Sequence, residues 1–522
     1  MPLQLDFLAT PLLHDLAWLA PELLLVLGMA VLLIARLFPS LDRWQLGFVP
    51  LLACFLALLV ASLQWFSFLV GNTQAVEKLF SGQLVFDGLA AFSRMILYGA
   101  AGITILITLL TKIPDREDSA DFHVLLLGAT VGMALMTMAY HLLMVYLAVE
   151  MASVPSYVLA GFLKGKRQGS EAALKYVVYG GAASGLLLYG ISLMAGRLGT
   201  GYLPDVSLSL LTILQADGLD MLWWLTLGFI LLGLAFKLSL VPMHFWCPDV
   251  FAGATAEVGG FLSVASKAAA LVLTGRWLMM LMGQTTEVSI HLAAASQQLA
   301  PGLSFIIVVV AAVTCTWGNL AAYPQTELKR FWAYSTIAHA GLLVMPLATL
   351  TREGLAASLV YLVPYTFMNL GVFAIVCFVR NFTHRETIEA FAGLGQRSRS
   401  LAISLAILVI GLIGLPPLAG FMAKYEVFAV LYQEAQQQKS LQLYFLLGVA
   451  VMNTLLSLGY YGRLLKVAWF EVPSSDFPMI IPFRQKLFAA LLAGFAALGN
   501  AFWDALTIWG SHIAVAAFQP LP

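Results

Sequence analysis

Three lysines and one glutamate stand inside long apolar runs. They are Lys237 in G-L-A-F-K-L-S-L-V-P, Lys267 in S-V-A-S-K-A-A-A, Lys424 in G-L-P-P-L-A-G-F-M-A-K-Y-E, and Glu150 in Y-L-A-V-E-M-A-S-V-P. A charge at the centre of a membrane helix costs about 2.5–3.5 kcal/mol on insertion scales, so it is kept for a function or a partner. Burial weakens an amine's hold on its proton, which brings exchange within reach of neutral pH. A row of such groups can hand protons along. Pro242 follows Lys237 and leaves the carbonyl of Leu238 without its helical donor. Gly414 and Pro416-Pro417 precede Lys424 and offer a second break. Broken helices beside buried charge suit ion transport. Glu150 is the main acidic residue inside a run and is expected to pair with Lys237. Approach of the carboxylate would hold the ammonium, and separation would drive its proton onward.

Other candidates carry two readings each. Lys267 is near the middle of its run among small residues, where function or an ion pair competes with a side chain snorkelling to the interface. Lys424 is either functional or an interfacial charge, and Glu426 two residues on does not share its helix face. Lys175 has Glu171 four residues before it, a spacing that suits a structural salt bridge as well as a functional pair. His339 is a proton-relay candidate or a hydrogen-bonded core histidine. His244, just past Pro242, would sit at the mouth of the site. Arg94, seven residues after Asp87, reads as structural or interfacial, and Glu22 and Asp504 as interfacial.

The composition says what must surround these groups. The 522 residues are 61% hydrophobic and 10% charged, with a mean hydropathy of +0.90. A soluble domain has about 25% charged residues, so the solvent here is largely lipid. With 27 basic and 27 acidic residues the net charge is zero, which favours no nucleic acid. The four cysteines are scattered without a C-x-x-C pair, and no Walker or G-x-G-x-x-G run occurs. No metal, iron–sulfur or phosphate-binding device is therefore recognisable. Asp6, Asp15 and the lack of a basic n-region speak against a cleavable signal.

A hydrocarbon core of about 30 Å takes roughly 20 apolar residues per crossing. The expected fold is an all-α polytopic membrane protein with about fourteen spans. These run over 17–38, 46–71, 89–111, 122–140, 142–163, 172–197, 221–246, 256–282, 302–321, 331–350, 354–379, 401–431, 440–468 and 484–510. The step at Tyr140–His141 is the weakest division. Odd-numbered loops hold seventeen lysines and arginines, among them Arg43, Arg116, Lys164, Lys166, Lys329, Arg330 and Arg380. Even-numbered loops hold only Lys78, Arg197, Arg276, Arg352 and Lys439. Basic residues collect on the cytoplasmic side, so both termini are expected on the opposite side. Residues 1–121 would form three leading helices, 122–282 and 301–470 two five-helix repeats, and 471–522 a last helix. An odd number of spans per repeat inverts the second copy, and each copy has its broken helix fourth.

Several runs resemble the antiporter-like membrane subunits of respiratory complex I and of cation/proton antiporter complexes. They are L-A-V-E-M-A-S-V-P-S-Y-V-L-A (147–160), S-E-A-A-L-K-Y (170–176), G-L-A-F-K-L-S-L-V-P-M-H-F-W-C-P-D-V (233–250) and F-L-S-V-A-S-K-A (261–268). L-K-R-F-W-A-Y-S-T-I-A-H-A-G (328–341) and G-L-P-P-L-A-G-F-M-A-K (414–424) continue the series. The S-E-A-A-L-K-Y run, the lysine at 424 and the absence of a long lateral helix resemble the subunit N branch of NADH–quinone oxidoreductase. The loop after Pro248 departs from the family's usual pattern around Glu257. The resemblance implies proton translocation through Glu150, Lys237, Lys267 and Lys424, with Lys175 and Glu171 at another implicated position. It implies no cofactor on this chain, with NADH, FMN, iron–sulfur clusters and quinone on other subunits of a hetero-oligomer in a bacterial inner membrane. The alternatives are a subunit of a sodium/proton antiporter, a subunit of a ferredoxin-dependent photosynthetic relative, and a passive scaffold. The five basic residues left after the loop counts (Arg94, Lys175, Lys237, Lys267, Lys424) lie within predicted helices and argue against the last.

Overall fold

The computed structural model describes residues 12–38, 46–70, 76–114, 118–163, 165, 167–218, 220–283, 290–473 and 479–516. Arg43, Arg116, Lys164, Lys166 and the extreme ends of the first and last expected segments lie outside them, as do the side chains of His291 and His512. Among the described residues the fold is all-α apart from one short hairpin. Its helices are α1 (Ala20–Ala35), α2 (Phe48–Val70), α3 (Gly88–Thr111), α4 (Ser119–Met138), α5 (Leu142–Ala160), α6 (Arg167–Leu198) and α7 (Leu203–Asp217). Next come α8 (Met221–Leu238), α9 (Trp246–Gly253), α10 (Ala256–Phe261), a π-turn (Leu262–Ser266), α11 (Lys267–Leu281), α12 (Ile290–Ala322) and α13 (Leu328–Val344). The series ends with α14 (Arg352–Thr383), α15 (Arg399–Ile413), α16 (Ala419–Gln437), α17 (Leu441–Phe470), α18 (Phe483–Leu498) and α19 (Trp503–Ala516).

Among the described residues, eleven helices are long and apolar enough to cross a membrane, or up to thirteen if each bent pair is one span. The expected count of fourteen is therefore not reached by length and composition. The remaining expected segment, 401–431, is the broken pair α15 and α16, separated by Gly414–Leu418. The weak step at Tyr140–His141 is a real boundary. Ala139 is extended, and the His141 ring accepts from the Leu143 amide at 3.1 Å, capping α5.

Two features were not expected. A hairpin, β1 (Glu77–Leu79) and β2 (Leu84–Phe86), pairs antiparallel and touches Ala139 through a bridge from Leu84. Helix α7 occupies what the sequence presented as a loop. Its Leu203, Val206, Leu210 and Leu211 are buried at the 3.6-residue period of an amphipathic helix.

Helices α4 and α5 pack closely, as do α12 and α13, and α6 packs on α8 as α14 packs on α16. Helix α14 also touches α3, α10, α18 and α19, so it runs through the middle of the molecule. The stretch Ala256–Leu281 is buried along its whole apolar window. By contrast α17 has many exposed apolar residues, among them Phe445, Met452 and Leu455. Apolar side chains on an outer face are what a lipid solvent accepts.

Candidate functional site

Helix α8 stops one residue after Lys237 because Ser239 takes a left-handed conformation (φ 58°). The chain turns through Val241–Phe245 before α9 begins. The break sets free main-chain groups that the surroundings then satisfy. The Trp246 indole N–H donates to the Phe236 carbonyl at 2.9 Å, and the Val241 amide donates to the Thr314 hydroxyl at 2.9 Å. The Ser239 hydroxyl accepts from the Lys267 ammonium at 2.9 Å. Lys267 is fully buried, and its ammonium lies 5.9 Å from the Trp246 ring centroid. The first break and the second lysine thus meet through one serine.

Lys267 follows directly on the π-turn. Such a turn inserts a residue and interrupts the regular ladder, and often marks functional sites. Ser263 within it is held from α14: the Asn369 side-chain amide donates to its hydroxyl at 2.5 Å, and the Tyr365 hydroxyl to its carbonyl at 3.3 Å.

Lys237 is buried and has no hydrogen bond or ion pair to a described residue. Glu150 is the carboxylate that acts on it electrostatically. The expected contact between the two is not made, since no ion pair within 4.0 Å joins them among the described residues. The Glu150 carboxylate instead accepts from the Ser184 hydroxyl of α6. A half-buried carboxylate takes the hydroxyl that faces it, and the amine stays apart.

The second break repeats the first in outline. Helix α15 ends at Ile413, and Gly414 is left-handed (φ 85°). The freed carbonyl of Ile413 accepts from the buried Lys424 ammonium at 2.8 Å. A narrow polar cavity beside Lys424 is lined by His339, Asn319, Asn453, Ser457 and Tyr460. His339 is hydrogen-bonded at both ring nitrogens, to the Tyr361 hydroxyl at 2.6 Å and to the Tyr461 hydroxyl at 3.1 Å. Tyr461 continues to Ser335 at 2.5 Å. His339 also lies 5.2 Å, ring to ring, from Tyr365, which reaches back to Ser263. Polar groups therefore lie at intervals between the two breaks: Ser239 with Lys267, Tyr365 with the Ser263 carbonyl and near His339, and His339 on the cavity beside Lys424. His244 is buried beside Trp317, with neither ring nitrogen partnered.

A layer of ion pairs lies at the other end of these helices. Lys175 contacts Glu171 at 2.9 Å, as the helical spacing predicts, and also Asp249 at 2.8 Å. Arg330 reaches the other oxygen of Asp249 at 3.0 Å. Buried Glu257 pairs with Arg380 at 2.8 Å, and Lys329 with Glu386 at 2.8 Å. The residues from 249 to 257 that depart from the family pattern are thus anchored at both ends.

Several charges assigned to loops or interfaces prove to be buried pairs. Arg276 lies within α11 and makes a two-pronged pair with Asp87 at 2.5 and 2.9 Å. Glu22 is buried against Arg94 at 3.2 Å and Tyr98 at 2.5 Å. Lys329, Arg330 and Arg380 likewise sit on helices. A short apolar window does not reveal a partner far away in sequence, so these charges read as loop charges. The pairing of Asp87 with Arg276 had no signal beyond the two residues themselves.

Comparison with known proteins is consistent over most of the chain. Residues 139–457 match the family model described as NADH:quinone oxidoreductase/Mrp antiporter, transmembrane region. NADH-quinone oxidoreductase subunit N of Anaeromyxobacter sp. (strain Fw109-5) is 35% identical over 469 residues, covering 88% of this chain and 89% of that one. Subunit N of Parvibaculum lavamentivorans is 34% identical over 505 residues, covering 96% and 97%. A chain in the structure of respiratory complex I from Thermus thermophilus with bound aureothin has a TM-score of 0.71 and 28% identity, covering 93% and 99%. A chain of the Mrp complex from Dietzia sp. DQ12-45-1b has a TM-score of 0.80 at 16% identity, covering 97% and 98%, a likeness of fold alone. This chain is a multi-pass membrane protein and belongs to the NADH:quinone oxidoreductase/Mrp antiporter transmembrane family, on its subunit N branch.

Proposed function

We propose that this chain moves protons across the membrane as part of an NADH–quinone oxidoreductase, through Glu150, Lys237, Lys267, His339 and Lys424. The observation that carries the reading is the pairing of two of the three buried ammonium groups with a group at a helix break: Lys267 with Ser239, and Lys424 with the Ile413 carbonyl. Ion transport needs polar groups at mid-membrane depth, and broken helices supply them. Residues 122–282 and 301–470 act as two inverted halves, each with its own break. When Glu150 moves towards Lys237 the ammonium keeps its proton. When they part, the Lys237 ammonium releases its proton towards Lys267, whose amine must first have passed its own proton onward. Lys175 and Glu171 act at the cytoplasmic end. Both termini face away from the cytoplasm of a bacterial cell, and the membrane is its inner one.

No redox centre is assigned to this chain. Electron transfer from NADH through FMN and iron–sulfur clusters to quinone belongs to other subunits of the hetero-oligomer. Identities of 34–35% to proteins named subunit N support this reading over a sodium/proton antiporter, for which only the fold argues.

The test is Lys237→Ala, Lys267→Ala and Lys424→Ala in the assembled complex. Proton uptake into vesicles is measured alongside NADH oxidation, and assembly by co-purification. Each variant is expected to assemble and to move fewer protons per NADH. Unchanged proton movement in any one of the three would refute the reading.

A further inference from the structure

Asp249 has one carboxylate oxygen on each half of the chain. Its Oδ2 accepts from Lys175 of α6 at 2.8 Å, and its Oδ1 from Arg330 of α13 at 3.0 Å. Asp249 itself belongs to α9, the short helix after the first break. One turn earlier on α9 stands Trp246. Its ring stacks on Tyr176 with centroids 4.4 Å apart and planes 8° from parallel, and Tyr176 is the neighbour of Lys175. The same indole donates to the Phe236 carbonyl, next to Lys237, and faces the Lys267 ammonium. Cys247, beside Trp246, is fully buried.

We infer that Asp249 is a positioning residue, a shared carboxylate that pins α9 between the two halves so that Trp246 holds the surroundings of Lys237 and Lys267. This rests on the proposed relay and deepens it. A helix of eight residues has little stability of its own, since isolated helices shorter than about 12–15 residues are marginal. Its orientation is set by what holds its ends. Side-chain bonds to Asp249 fix one end, and the Trp246 stack and indole bond fix the face. The carboxylate takes a cation from each half, so a relative movement of α6 and α13 is felt at α9. Trp246 carries that displacement to the Phe236 carbonyl and to the Lys267 ammonium. Two-pronged contacts of this kind set geometry more than they add stability at a half-exposed site.

The test compares Asp249→Asn, Asp249→Glu and Lys267→Ala in the complete complex, reading protons moved per NADH oxidised. Asp249→Asn is expected to fall towards the Lys267→Ala value, and Asp249→Glu to recover at least half of the loss. A normal ratio in Asp249→Asn beside a lowered one in Lys267→Ala overturns this inference alone. A normal ratio in Lys267→Ala overturns the relay itself, and this inference with it. Failure of Asp249→Glu to recover any of the ratio also overturns it. Should Asp249→Asn not assemble, Arg330→Gln removes the tether from α13 and leaves the carboxylate and Lys175 in place. A lowered ratio then supports the inference and a normal one overturns it.

Discussion

Ser239 joins two properties that substitution can separate. Its φ of 58° is costly for any residue but glycine, by about 1–2 kcal/mol. Its hydroxyl is the acceptor for Lys267. Ser239→Gly should therefore keep or raise the melting temperature of the complex while proton movement per NADH falls. A glycine variant with full proton movement would mean that the hydroxyl has no part in the relay. Arg276 and Asp87 make the opposite case, a buried pair away from the lysines. Removing one partner of a buried pair costs about 3–5 kcal/mol. Arg276→Met alone should lower the melting temperature sharply, and Asp87→Leu added to it should restore much of the loss. At this scale the sequence placed Lys237, Lys267, Lys424 and His339 inside apolar runs, and all four are buried in the structure. Arg276 was not readable, because it lies near the end of its run, where a loop charge looks the same. The expected contact of Glu150 with Lys237 failed for another reason. Sequence places residues on helices but does not say which neighbouring hydroxyl, here Ser184, is nearer.

The two breaks and the π-turn do different work on the helices. Proline and glycine announce the breaks, since neither Pro242 nor Pro416-Pro417 can continue a helix. Gly414 is needed at its position. Its φ is 85°, and a Cβ there would lie 2.7 Å from the Lys424 side chain. Gly414→Ala should strain the backbone and displace Lys424, lowering proton movement more than its effect on assembly. The π-turn had no such announcement. The residues L-S-V-A-S are ordinary for a buried helix, and the extra residue is imposed by packing against Tyr365 and Asn369. Deleting Val264 would remove the extra residue, let the turn relax into regular α-helix and break the contacts of Ser263 with Tyr365 and Asn369 just ahead of Lys267. Such a deletion is expected to abolish relay function while the span remains long enough to cross. Measured proton movement in that variant equal to wild type would show that the turn is incidental. Helix α7 and the hairpin escaped notice because neither is long or continuously apolar.

The distribution of basic residues predicts which way the whole molecule faces. Alkaline phosphatase, which is active only outside the cytoplasm, is expected to be active when fused after Gly199 and inactive when fused after Gly165. The reverse result would invert the assignment of sides. The helical membrane architecture was legible from composition and run length, while the number of spans was not. Helices α6, α12, α14 and α17, of 30 to 33 residues, exceed the lipid thickness, and bent pairs divide a single run. Contacts between helices distant in sequence, such as Asp249 with Arg330, were invisible for the same reason as Asp87 with Arg276. They join positions tens to hundreds of residues apart.

The stretch Ala256–Leu281 has protein on every side, while α17 presents much of its surface outward. The segment that holds Lys267 is therefore shielded from acyl-chain length and headgroup composition, which act first on peripheral helices. A cell that remodels its lipids with temperature would retune the rim of this molecule and leave the dielectric setting of its central amine as it was.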